Sequence, residues 1–247
     1  MVALRRRERG WMMAGAYRDR LFGFLRSRAV GEPGGLFVET AAARPSSVPG
    51  VDEDLRERFC AELSAVGGAA VDLAGRGEPG AELESWLRGL GIEGAVIDSD
   101  PAWAAIGLPV RELVEAAGLS IEPVDGSAGP ADLAGFDLGI TLADAAIAET
   151  GSIVQCARPF RPRSISLVPR CHLALVPRDR LLGGLEDFFE GIEEGASWAG
   201  GDADFDTYFT WITGPSRTAD IEKTLTIGVH GPGRTGVFLL GGEGRDD

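Results

Sequence analysis

The stretch GAVIDSDPAWAAIGLPVRELVEAAGLSIEPVD, Gly94 to Asp125, decides the fold. It opens on a short apolar run, GAVIDS, and closes on another, SIEPV. Between them lies a segment of helical period, Pro109 to Ala117. Strand, helix, strand is the unit that links two parallel strands, because a parallel neighbour is reached only by a crossover. Pro109 suits the start of that helix, where a missing N–H leaves no bond unmade.

The same alternation continues on both sides. AAVDL, Ala69 to Leu73, reads as a strand. It follows a helix, Pro49 to Val66, whose Leu55, Phe59, Leu63 and Val66 recur at helical spacing. Gly80 to Leu90 reads as a helix with Leu83, Leu87 and Leu90 on one face, and DLGITLAD, Asp137 to Asp144, as a strand. These elements predict an α/β fold with a largely parallel sheet flanked by helices. The runs SIVQCA, SISLVP and HLALVP, from Ser152 onward, read as hairpins at one side of that sheet. Arg178 to Glu194 reads as a helix, YFTWIT as a strand, GVFLL as the last strand and GGEGRDD as a polar tail. Near the start, Tyr17 to Arg28 reads as an amphipathic helix, followed by a Gly- and Pro-rich connection. The expected organisation is an N-terminal arm, helix and connection over 1–48, then a single α/β domain over 49–247.

Composition narrows the function. A net charge of −14 works against nonspecific binding to nucleic acid or to an anionic membrane. Cys60, Cys156 and Cys171 form no C-x-x-C pair, and no His stands at zinc spacing, so iron–sulfur and zinc ligands are not evident. No apolar run approaches the roughly 18 residues of a membrane span. The basic N-terminus lacks the apolar region of a secretory signal, so the cytoplasm is the expected location. Translation starting at Met12 or Met13 is an alternative to Met1.

Two segments begin where a strand ends, which is where α/β sheets bind ligands. In ADAAIAETGSIV, Ala143 to Val154, Glu149 is placed to act as nucleophile or general base. Thr150 and Ser152 supply hydroxyl donors, and Gly151 permits close approach of a ligand or backbone. The alternative is a glycine turn with a solvated carboxylate. In ITGPSRTADIEKTLTIGVHGPGRTG, Ile212 to Gly236, Ser216 reads as the N-cap of a helix whose first turn is Arg217, Thr218 and Ala219. Free N–H groups, hydroxyls and a guanidinium would meet there and favour a phosphate or carboxylate. Gly214 and Gly231 open the two Gly-Pro pairs that bracket the segment, and Asp220 either complements the helix dipole or orients Arg217. The alternative is an ordinary capped helix. His230, fixed by Gly231-Pro232, is a proton shuttle, an anion ligand or a structural residue. Lys223 reads as a solvated charge, and His172 as packing or an exposed edge-strand residue. Arg158, Arg161 and Arg163 form either an anion-binding loop or a solvated hairpin tip. No P-loop, G-x-G-x-x-G or G-x-S-x-G motif is present.

Taken in order, AIAETGSIV, SISLVPRCHLALVP and ITGPSRTADIEKTLTIGVHGP resemble the lactate-utilisation (LUD) domain family, from about Asp137 to Leu240. The resemblance implies a fold like that of the CoA-transferase, ribose-phosphate isomerase and glucosamine-phosphate deaminase superfamily. It implies a subunit of an L-lactate oxidation system, lactate to pyruvate, acting with iron–sulfur partner proteins. This chain lacks the ferredoxin-like cysteines of such partners, and the resemblance assigns it no cofactor. CoA-transferase relatives use a glutamate in an E-x-G setting as nucleophile, and Glu149-Thr150-Gly151 has that form. Two alternatives stand beside it: a stand-alone acyl-CoA or sugar-phosphate type enzyme using Glu149, and a non-catalytic assembly module.

Overall fold

The structure, a computed structural model, describes residues 52–73, 78–156, 158, 160–194, 209–219 and 225–241. The N-terminal helix and connection expected from the sequence, Asp220, Lys223 and most of the polar tail lie outside the described residues.

Six strands form the main sheet: β1 (Ala69–Asp72), β2 (Gly94–Asp98), β3 (Ser120–Val124), β4 (Leu138–Leu142), β7 (Cys171–Val176) and β12 (Arg234–Leu239). Their order across the sheet is β1-β12-β7-β4-β2-β3, and every pair is parallel. The strands in the middle are buried on both faces because both faces are covered. On one side, Leu138, Ile140, Leu142, Leu173, Leu175 and Phe238 pack against α2 (Pro79–Gly89) and α3 (Val110–Ala116). On the other, Ala174, Val176, Val237 and Leu239 meet Phe59 and Leu63 of α1 (Asp52–Ala65). Burying each large aliphatic side chain contributes about 1.5–3 kcal/mol, so these two layers dominate the stability of the fold.

A second sheet has the order β8-β5-β6-β9: β8 (Leu181–Leu182), β5 (Ala145–Ile147), β6 (Ser152–Cys156) and β9 (Phe209–Ile212). The chain passes from one sheet to the other at Ala143-Asp144. Ala143 N–H still bonds to Leu175 of β7, whereas Asp144 N–H bonds to Val154 of β6. The run of alanines from 143 to 148 lets β5 lie close to α1. The short α4 (Pro130–Leu133) precedes β4, and α5 (Leu185–Glu194) buries Phe188 against β5 and β6.

Four expectations need correction. HLALV is not part of a lateral hairpin; it is β7, in the interior of the parallel sheet. SISL is a 3-10 segment, Arg163–Ser166, laid on that sheet, and the helix expected from Arg178 starts at Leu185. The capped helix expected after Ser216 is instead a hairpin of β10 (Arg217–Ala219) and β11 (Leu225–Ile227), paired antiparallel. The alternating Leu225 and Ile227 of TLTI pair with the strand that a helical reading of Arg217-Thr218-Ala219 overlooks. Ser216 carbonyl accepts from Gly228 N–H at 2.9 Å, so it closes a hairpin rather than starting a helix.

Candidate functional site

The Glu149–Gly151 turn joins β5 to β6. Glu149 N–H bonds to Gly183 carbonyl at 3.0 Å, which ties the turn to the start of α5. Its carboxylate lies 3.9 Å from Arg58 of α1, with side-chain exposures of 45% and 34%. An ion pair so open to water contributes little stability, about 0–1 kcal/mol. Gly151 has φ +62°, and a Cβ there would stand 2.3 Å from Leu63 N. The turn therefore presses on the backbone of α1, and glycine is required by contact as well as by conformation.

A chain of hydroxyls leads from this turn to the second segment. Thr150 Oγ1 donates to Ser152 Oγ at 2.7 Å, and Ser152 Oγ lies 2.6 Å from Thr213 Oγ1. Either hydroxyl can be the donor of this second bond, since the Ser152 oxygen has two lone pairs. Thr213, at the end of β9, is exposed. Gly214 follows with φ +76°, and a Cβ on it would stand 2.9 Å from Val66 Cγ2.

The two Gly-Pro pairs come together. Ser216 N–H bonds to Pro232 carbonyl at 2.8 Å, and a Cβ on Gly231 would lie 3.2 Å from Ser216 Cβ. His230, beside Gly231, is exposed. Arg217 is exposed as well and donates through Nη2 to Val66 carbonyl, just past the end of α1. It thereby satisfies a carbonyl that the helix leaves without an internal donor. Thr218 lies in β10 opposite Thr226. The contacts of Glu149 and Arg217 on α1 differ: from Arg58 to Val66 the rise is roughly 12 Å of helix. Short contacts thus link Thr150 to Thr213 through Ser152, Gly231 to Ser216, and Arg217 to the end of α1, while Glu149 meets α1 at Arg58.

The sequence reading of the arginine loop as a solvated tip is wrong. Arg161 is 4% exposed. Its Nε donates to Asp98 Oδ2 at 2.8 Å, Nη1 to Asp144 Oδ2 at 2.5 Å and Nη2 to Asp100 Oδ2 at 2.5 Å. Arg158 adds a fork onto Asp144 Oδ1, at 3.1 Å from Nε and 2.7 Å from Nη2. Trp103 Nε1 donates to Asp98 Oδ1 at 2.6 Å. Burial works against the charge on Arg161, but the three carboxylates, Asp144 first, outweigh it and hold the guanidinium pKa above its ordinary value. Burial and then the Asp144 carboxylate push the Cys156 thiol up to about 12, so it stays protonated. This cluster occupies the carboxyl ends of β2 and β4. The chain leaves β2 toward β3 on one side and β4 toward β7 on the other, so this is the topological switch point of the sheet. The crevice such sheets offer to ligands is filled here by the protein's own guanidinium. One sequence signal pointed to it: an aspartate closes each of the two strands, Asp98 and Asp144, and a paired cation was to be expected near carboxylates so placed.

Among the described residues, no group of three or more His, Cys, Asp or Glu is arranged to hold a metal ion. None of the described helices is long and apolar enough to cross a membrane.

Residues 128–240 match the family model described as the LUD domain. Lactate utilization protein C of Exiguobacterium sp. is 40% identical over 108 residues, which are 42% of this chain and 44% of that protein. Lactate utilization protein C of Macrococcus caseolyticus is 36% identical over 96 residues, 39% and 40% of the two chains. The chain thus matches less than half the length of these curated relatives. The crystal structure of a DUF162 family protein from Deinococcus radiodurans covers 80% of this chain and 100% of that one, with a TM-score of 0.52 and 24% identity. That likeness establishes a shared fold.

Proposed function

We propose that this chain, whose residues 128–240 match the LUD domain model, serves the oxidation of L-lactate to pyruvate. The observation that carries the proposal to particular residues is the hydroxyl chain Thr150–Ser152–Thr213, which connects the Glu149 turn to the segment bearing Ser216 and Arg217. Thr213 and Arg217, on that segment, are both exposed, and Arg217 Nη2 donates to the Val66 carbonyl. Donors grouped in this way suit a small carboxylate, or a phosphate of similar size. In this reading Arg217 and Ser216 hold the carboxylate. His230, adjoining the Gly231 that packs on Ser216, takes up the hydroxyl proton. Glu149, at the Arg58 station, is the second candidate for that role. Lactate oxidation releases two electrons and two protons. The two electrons and the second proton, the hydrogen lost from Cα, pass to the iron–sulfur partner proteins that the family resemblance implies.

A second reading, a module that assembles those partners, draws on a different observation. Leu185, Phe189 and Trp211 expose 42%, 55% and 38% of their surface, and the Phe189 and Trp211 rings lie 6.5 Å apart. Apolar groups gathered on a surface commonly mark a contact with another protein.

Deletion of the gene, followed by complementation, separates these readings. The deletion strain is expected to lose growth on L-lactate, and Arg217→Ala is expected not to restore it. Normal growth of the deletion strain, in a background free of other lactate dehydrogenases, contradicts the proposal. Full restoration by Arg217→Ala and Glu149→Ala, with failure by Phe189→Asp, favours the assembly reading.

A further inference from the structure

Six large apolar side chains are exposed among the described residues, and they fall into two groups of three. Leu185, Phe189 and Trp211 belong to α5 and β9. Leu167 follows the 3-10 segment, and Ile227 and Val229 lie at the end of the β10–β11 hairpin.

The first group has an acidic setting. Leu185 and Phe189 stand about one helical turn apart, so they share a face of α5. The Phe189 ring is 6.5 Å from that of Trp211, and both rest on the buried ring of Phe188, at 5.5 and 4.8 Å. The sequence of α5, LEDFFEGIEE, holds five acidic residues and no basic one. Glu186 and Glu190, each next in sequence to one of the two apolar residues, are exposed.

The second group has a basic setting. No Asp or Glu stands between Glu149 and Asp179, a span with five arginines. Arg158 and Arg161 serve Asp144, whereas Arg163 and Arg170, which bracket Leu167 in sequence, are exposed. Arg170 pairs with Asp137 yet keeps 64% of its side chain open to solvent. Leu167, Ile227 and Val229 border one turn. A Cβ on Gly231 would stand 4.0 Å from the Leu167 carbonyl oxygen, and one on Gly228 would stand 3.0 Å from Gly233 Cα. Gly233 N–H bonds to the Arg170 carbonyl at 2.9 Å. Arg217 is the cross-strand partner of Ile227, so the two share a face of the hairpin.

Charge decides which of these surfaces can meet. Copies of a chain of net charge −14 repel one another on average. The α5 surface is a poor match for its own copy, because acid would face acid. The hairpin surface offers the complement, apolar side chains with arginines beside them. Opposed charges at the rim orient such a contact, and the apolar centre supplies its attraction.

We propose that the chain self-associates head to tail, the α5–β9 surface of one copy docking on the Leu167–Ile227–Val229 surface of a second. The contact joins two different patches, so each copy offers one free surface of either kind to the next. This gives the α5 surface a different occupant from the assembly reading, and it lays the second copy on the hairpin that carries Arg217.

Light scattering of the full chain over a dilution series tests this, with mass as the readout and no dependence on lactate oxidation. The expected result is a mass above that of one chain, rising with concentration. Phe189→Asp and Ile227→Asp are each expected to give a monomer. An equimolar mixture of the two is expected to recover a dimer, because each variant keeps the surface that the other lacks. Should either variant fail to fold, Glu190→Arg and Arg163→Glu take their places, with the same expectation for each alone and for the mixture. A monomeric unaltered chain, an oligomer that survives these substitutions, or a mixture that stays monomeric overturns the proposal.

Discussion

Arg161 reaches Asp98 across 63 residues of sequence, Nε to Oδ2 at 2.8 Å, with side-chain exposures of 2% and 0%. One guanidinium thereby joins the loop after β6 to the carboxyl end of β2, and through Asp144 to the end of β4. Removing it takes the guanidinium from three buried carboxylates, of which Asp144 keeps its pair with Arg158. Arg161→Ala is expected to cost about 3–5 kcal/mol, the range for a buried pair broken on one side. Arg161→Lys is expected to lose most of the same amount, because a compact ammonium cannot serve three carboxylates in a fork geometry. Urea unfolding measures both. A lysine variant as stable as the unaltered protein contradicts the assignment of three separate bonds.

Gly151→Ala tests how tightly the Glu149 turn is pressed on α1. The new Cβ meets Leu63 N at 2.3 Å, and backbone cannot move aside as the end of a flexible side chain does. The expected loss is about 1–3 kcal/mol, from overpacking and from the positive φ together. A thermal midpoint equal to that of the unaltered protein shows that the contact is looser than described.

His172 gives a pH dependence of definite sign. Its folded pKa, about 3, lies below its ordinary 6.5. As pH falls below 6.5 the unfolded chain takes up a proton that the folded chain refuses. Stability is therefore full above about 6.5 and declines toward 3, at about 1.4 kcal/mol for each pH unit. His172→Gln lacks this component, and the difference between the two proteins isolates it from the carboxylates. Parallel stability profiles for the two proteins from pH 7 to 4 contradict the buried neutral ring.

The main sheet was legible because each of its strands is short, apolar and separated from the next by a helix or a turn. β7 was misplaced for a reason of topology. Its neighbours β4 and β12 are remote in sequence, so HLALV carries no local mark of its interior position. The hairpin of β10 and β11 was hidden because Ser216-Arg217-Thr218-Ala219 has the composition of a capped helix start, while its conformation is set by bonds to Pro232 and Gly228. Arg161 was misread because arginine among prolines is ordinarily solvated, and its three partners come from two strand ends remote from it in sequence. The hydroxyl chain was half visible: Thr150 and Ser152 stood out, while Thr213 acquires meaning only when β9 pairs with β6.

The central claim is that Arg217 holds the carboxylate of a small ligand. Calorimetric titration of L-lactate and of pyruvate into the full chain tests it most directly, with the unaltered protein compared to Arg217→Ala. Losing a charge-assisted hydrogen bond of about 1.5–3 kcal/mol corresponds to an affinity loss of at least tenfold. The variant's thermal midpoint, read alongside, reports any loss of the bond to the Val66 carbonyl. The expected result is measurable binding that weakens at least tenfold in a variant that remains folded. Binding unchanged by the substitution, or no binding of either acid to the unaltered protein, contradicts the account.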